Sequence, residues 1–263
     1  MKPHIGRIVL PLLAAGMLQA HVGAPRIGVM RLSDASVRAV YGLPGNFVPA
    51  RAAFAHGARA ASFSDTAGLI ATATEIQLLG PDLAALGSYH CGEKKPVLNV
   101  TADAASAVAW LPSEHKILYW TGTRFRTTEA AQGFEGQVAS IERNGQDRAE
   151  LFVLNSDGSA SRVSIVLSTG EFAGEDAIPG VMGPAIHLGA AFVFPDHEHL
   201  VVLTADGIRH DLAVPSGVVI ERLSSQWLHL FSPTSDQHWA LRLHGSEPEV
   251  FVLPATAGDG ASK

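Results

Sequence analysis

The chain has 263 residues, of which 47% are hydrophobic and 17% charged, with 26 glycines and 15 prolines. That composition supports a sizeable core and excludes a disordered chain, and the glycine and proline content suits frequent turns rather than long helices. The formal charge of −6, with no run of Lys and Arg, argues against nucleic acid and against an anionic membrane surface as partners.

In chain order, the first feature is an address. Lys2 and Arg7 precede an apolar run from Ile8 to Leu18, followed by His21, Gly23 and Pro25. A basic start and an apolar stretch of about ten residues fit a secretory signal peptide over residues 1–20, with cleavage after Ala20. The run is shorter than the roughly 20 residues needed to span a bilayer as a helix. The mature chain then carries a charge of −8, no membrane span is expected in it, and the expected location is periplasmic or secreted. No Cys follows the run, which argues against a lipid anchor. Cys91 is the only cysteine, so the chain forms no internal disulfide and holds together by packing.

Beyond residue 25, short runs with period two recur, and no long run follows helical spacing. The Ala-rich segment from Pro49 to Ala61 is the one helical competitor, and Gly57 weakens it. Five segments read as the middle strand of a repeated unit: Ile70–Ile76, Lys116–Gly122, Glu150–Ser156, His199–Ala205 and His238–His244. Their starts lie 46, 34, 49 and 39 residues apart. Each is preceded by another apolar run, at Ala60–Ser64, Ala107–Leu111, Gln137–Ile141, Ala190–Phe194 and Gln226–Phe231. The later four are followed by a third run, at Arg124–Thr128, Ser161–Ser168, Ile208–Val214 and Glu249–Leu253. The intervening Ser156-Asp157-Gly158 and Ala205-Asp206-Gly207 suit tight turns. A Pro-Gly mark at Pro44-Gly45 and Pro179-Gly180, stretched by one residue at Pro215-Ser216-Gly217, reads as a strand end and a turn toward the next unit.

Antiparallel units at this spacing resemble the blades of the β-propeller superfamily, which includes the WD40 and kelch repeats. The resemblance is one of period and strand order over about residues 26–255, because the Gly-His and Trp-Asp dipeptides and the kelch double glycine are absent. It implies an all-β propeller of about five or six blades, with a β-sandwich or an irregular barrel as the alternative. The piece from Arg26 to Leu43 is expected to complete the last blade, and residues 256–263 to form a disordered tail.

The chemistry-bearing residues assemble into no catalytic motif. His197-Glu198-His199, after Asp196, has two imidazoles at i and i+2, but Val201 stands where a zinc-protease motif needs its second His, and the segment falls on a predicted turn. His210-Asp211 points to opposite faces of a strand. His90, His115, His187, His229, His238 and His244 are scattered, and read as partly exposed. Asn155-Ser156-Asp157-Gly158 reads as a hairpin turn rather than a calcium loop, and Asn99-Val100-Thr101 matches a glycosylation acceptor. Trp110, Trp120, Trp227 and Trp239 occupy strand positions, expected to pack between blades. No catalytic, cofactor-binding or metal residue is assigned. The expectation is a non-enzymatic binding or scaffold module for a protein or small ligand. The alternative is a propeller-type lactonase or glycosidase, which requires several of Asp65, Glu75, Glu114, Glu150, Asp196 and Glu198 to converge in the channel.

Overall fold

The computed structural model describes residues 24–254 apart from 51, 52, 54, 131–133, 216 and 246. The signal-peptide and tail segments read from the sequence therefore lie outside the described residues. Within them the chain forms six antiparallel sheets, each from consecutive strands. The first has three strands, β1 (Arg26–Arg31), β2 (Val37–Leu43) and β3 (Asn46–Pro49). The second is β4 (Ala60–Phe63), β5 (Gly68–Ala71), β6 (Glu75–Leu79) and β7 (Ala85–His90). The third is β8 (Val97–Asn99), β9 (Val108–Leu111), β10 (Lys116–Trp120) and β11 (Phe125–Glu129), with one 3-10 turn at Ala104–Ser106. The fourth is β12 (Gln137–Arg143), β13 (Arg148–Leu154), β14 (Ser159–Val166) and β15 (Phe172–Met182). The fifth is β16 (Ile186–Leu188), β17 (Ala191–Asp196), β18 (His199–Leu203) and β19 (Arg209–Pro215). The sixth is β20 (Val219–Arg222), β21 (Trp227–Ser232), β22 (Gln237–His244) and β23 (Glu247–Leu253). Together they form a six-bladed β-propeller.

The alternation read from the sequence explains the packing. Along β13, Ala149, Leu151 and Val153 face one neighbour while Phe152 faces the other. Six apolar clusters result, one at each seam between blades. All four tryptophans lie in these seams: Trp110 between blades 3 and 4, Trp120 between 2 and 3, Trp239 between 5 and 6, and Trp227 between 6 and 1. The middle strands expected at 116, 150, 199 and 238 correspond to β10, β13, β18 and β22. The segment from Ile70 to Ile76 instead straddles a turn between β5 and β6, closed by Thr72 Oγ1 donating to the Glu75 carbonyl at 3.2 Å. No helix forms among the described residues of the Ala-rich segment.

The ring closes differently from the expectation. Blade 6 is complete with β20–β23, so the N-terminal piece does not finish it; that piece forms blade 1. Arg26, at the start of β1, donates to the carbonyls of Asp65 and Pro81, in the turns after β4 and β6. Arg31, at the end of β1, pairs with Glu221, whose carboxylate also accepts from the backbone N–H of Ala61 on β4. Hence β1 runs antiparallel to β4 and sits as a wedge, while β20 and β4 approach each other past it. The wedge is fixed by Val29 N–H donating to the Leu223 carbonyl at 3.0 Å and by Gly28, where a Cβ would lie 2.2 Å from that same oxygen. The Pro-Gly mark is also not uniform. Pro44-Gly45 is the β2–β3 hairpin turn, Pro179-Gly180 lies inside the edge strand β15, and only Pro215 ends a blade.

Candidate ligand-binding cleft and channel mouth

One buried side chain links several of the inner strands. Arg222, 4% exposed, donates from Nε to Asn99 Oδ1 at 3.0 Å and from Nη2 to Glu142 Oε1 at 3.2 Å and the His187 carbonyl at 2.5 Å. Asn99 Nδ2 donates to the Ile141 carbonyl at 2.6 Å, and His187 Nδ1 lies 3.0 Å from Glu142 Oε2. Four inner strands, β8, β12, β16 and β20, are thus tied through one guanidinium. Burial lowers the Arg222 pKa and Glu142 opposes that shift. Asn99, matched as a glycosylation acceptor, is 3% exposed and engaged in this knot.

At one end of the channel lies a depression of about 250 Å³ lined by Arg31, Arg59, Lys94, Lys95 and Arg222, with Glu221 as its one carboxylate. Lys94 and Lys95 are held there by Glu93, which is 6% exposed. Its carboxylate accepts from the Lys95 backbone N–H at 3.1 Å and from Ser113 N–H and Oγ–H at 2.8 and 2.5 Å. Burial alone would raise the Glu93 pKa, but these donors hold it below the usual carboxylate range. The loop before β8 is thereby pinned to the β9–β10 turn, and both lysines on it are exposed.

A larger cleft of about 1190 Å³ opens between blades 3 and 4. Lys95, Pro96, Val97 and Ala139 line both this cleft and the channel mouth, so the two adjoin. Trp110 on β9 is its aromatic wall, with Phe134 at 6.0 Å and His115 edge-on at 5.9 Å between ring centroids. Glu114 and Glu129 stand among its lining residues. At its rim, Gly170 (φ +77°) lets the β14–β15 turn approach β11, since a Cβ would lie 2.0 Å from the Glu129 carbonyl oxygen.

A second polar chain runs through the seam between blades 6 and 1. Arg31 pairs with Glu221 at 2.8 Å, and Glu221 Oε2 lies 4.0 Å from His229 Nδ1. His229 Nε2 lies 2.8 Å from His238 Nδ1 with the rings stacked, and His238 Nε2 faces Asp236 at 3.7 Å. His229 is 1% exposed and its Nδ1 has no hydrogen-bond partner among the described residues. Burial, with His238 and Arg31 adding to it, lowers its pKa to about 3. His238 is lowered by burial too, against the pull of Asp236. Burial raises the Glu221 pKa and Arg31 opposes it.

The carboxylates proposed to converge do not meet. Asp65 receives Ser225 in the turn after β4, Glu75 binds Gln77, Glu114 pairs with Lys116, and Glu150 accepts from Asn144. Asp196 pairs with Arg209 at 2.7 Å, and Glu198 and the fully exposed His197 lie in the β17–β18 turn. His210 and Asp211 do not pair; Asp211 binds Arg209. Among the described residues, no three His, Cys, Asp or Glu side chains come within metal-binding reach. Cys91 is half-buried, and burial raises its thiol pKa. Two of the scattered histidines, 229 and 238, are buried partners rather than partly exposed residues. The sequence also gave no notice of Arg222 and the basic mouth. The adjacent charges of Glu221-Arg222 inside the apolar run Val218–Leu223 were the available signal.

No protein-family model and no curated protein matches the chain. Solved structures similar to it include Hsv2p of Kluyveromyces lactis, at 11% identity and a TM-score of 0.41, covering 86% of this chain and 83% of that one. Hydrazine synthase of Kuenenia stuttgartiensis is similar at 10% identity and a TM-score of 0.45, over 86% of this chain and 80% of that one. The likeness is one of overall chain course, and the six-blade assignment rests on the strand order and seams described above.

Proposed function

We propose that the protein is an exported, non-catalytic binding module that seats a small ligand in the cleft between blades 3 and 4. The observation that carries this reading is the cleft itself, an aromatic-walled depression of about 1190 Å³ on a rigid all-β frame. Among the described residues the two histidines whose pKa burial lowers sit in a different seam. Export is supported by Lys2 and Arg7 ahead of the apolar run from Ile8 to Leu18.

Two measurements test the reading. A thermal-shift screen of small metabolites identifies binders, and hydrogen-exchange mass spectrometry then locates them. Protection is expected over residues 95–97, 110–115 and 134–139, and protection confined to any other seam refutes the cleft. For export, the mature chain is expected to begin at His21, and a secreted fraction retaining Met1 refutes cleavage.

A further inference from the structure

We infer that the cleft takes an amphipathic organic anion, with its apolar or aromatic body against Trp110 and Phe134 and its anionic group at Lys94, Lys95 and Arg59. This inference rests on the binding reading above and adds the chemical class of the ligand.

Charge complementarity is the argument. The protein as a whole is acidic, with a formal charge of −6. Yet five cationic side chains line the channel mouth against one carboxylate. Arg31 is matched by Glu221 and Arg222 by Glu142, at 2.8 and 3.2 Å. Arg59, Lys94 and Lys95 make no ion pair with any described residue and are exposed. Three positive charges therefore remain uncompensated around one small depression. Like charges held together repel, and that cost is relieved when an anion enters.

The arrangement is built rather than incidental. Glu93 spends a buried carboxylate on fixing the loop that carries Lys94 and Lys95, through donors from both the loop and Ser113. Pro96 follows directly and stiffens the entry to β8. Pro96, Val97 and Ala139 line both cavities, which sets the cations beside the cleft that holds Trp110 and Phe134. A ligand that is only anionic would leave the cleft empty, and one that is only apolar would leave the cations unmatched. Glu114 and Glu129 at the cleft repel a second anionic group there, so the charge is expected at one end of the ligand.

The probes are two dyes of nearly the same shape, anilinonaphthalene sulfonate and its uncharged relative phenylnaphthylamine, titrated into the mature chain at neutral pH and low salt. The sulfonate is expected to bind more tightly by about tenfold, a preference that salt weakens. The double variant Arg59→Glu, Lys94→Glu, at two positions outside the cleft lining, is expected to abolish that preference while leaving phenylnaphthylamine affinity within about twofold. Lys95→Glu is expected to weaken sulfonate binding in the same direction. Circular dichroism and the unfolding midpoint of each variant confirm an intact fold. Equal affinity for the two dyes, or a preference that survives charge reversal, overturns the anion inference and leaves the cleft reading standing. Failure of both dyes to bind, or neutral-dye binding unaffected by Phe134→Ala, overturns the cleft reading as well.

Discussion

Acidification should loosen the ring at the seam between blades 6 and 1, and His229 gives the scale. Its folded pKa is about 3 against an ordinary 6.5, because burial and the neighbouring His238 and Arg31 oppose the imidazolium. The unfolded chain therefore binds a proton that the folded chain refuses throughout the window between those values. Stability contributed by neutral His229 is complete above pH 6.5 and falls as the pH drops toward 3. Over the whole window the loss approaches about 5 kcal/mol, since each pKa unit is worth roughly 1.4 kcal/mol. That is comparable to the total stability of a marginal domain. His238 is shifted in the same direction. Glu221 works in the opposite sense, because burial raises its pKa and protonation then relieves a cost. Wild type alone mixes these contributions, so the comparison is with His229→Gln, whose amide can donate to or accept from His238 Nδ1. From pH 7.5 to 4 the wild-type midpoint should fall by roughly 10 °C, and the variant by clearly less. Histidine NMR supplies an independent reading of the same group. Equal slopes for the two proteins, or a His229 resonance that titrates near 6.5 in the folded state, would refute the argument.

Three further outcomes follow from other contacts. Gly28→Ala places a methyl against the Leu223 carbonyl and should cost about 2–3 kcal/mol, read as a lower unfolding midpoint; an unchanged midpoint removes that contact from the closure. Arg222→Ala removes the cation that Glu142 Oε1 and Asn99 Oδ1 accept from in the channel and should cost about 3–5 kcal/mol, with Arg222→Lys recovering only part of it because an ammonium lacks the planar fork. Cys91, half-buried with a raised thiol pKa, should react with iodoacetamide more slowly at pH 7.5 in the native protein than in urea, and equal rates would contradict its burial.

The repeat was legible because each blade buries both faces of its sheet against neighbours, and that demand writes short apolar runs at β9, β13, β18 and β22 into the sequence. The turn at Ala71–Glu75 was invisible for a local reason. It is built from Ala and Thr without Gly, Pro or Asn, and a Thr hydroxyl supplies the closing hydrogen bond. Blade 1 was misplaced because strand propensity gives no information about direction. What makes β1 a wedge is Arg26 reaching the turns after β4 and β6, a contact across 39 and 55 residues. The cleft could not be read either, since Lys95, Trp110 and Phe134 lie in three separate runs and meet only because the seam between blades 3 and 4 is splayed at that end. His229 and His238 are a similar case. They are nine positions apart, and only the β21–β22 register brings their rings together.

Because no strand is exchanged between the two ends of the chain, every sheet of the propeller is drawn from one continuous stretch of sequence. Each blade can pair its own strands as soon as it emerges during synthesis, with loop closures of only a few residues. The long-range step is deferred to the end, when blade 6 docks on the waiting wedge through Gly28, Val29 and Arg31. The same arrangement makes the chain a candidate for circular permutation. New termini placed in any linker between blades would split no sheet, and joining the present ends would tether the seam between blades 6 and 1, which no linker between blades now crosses.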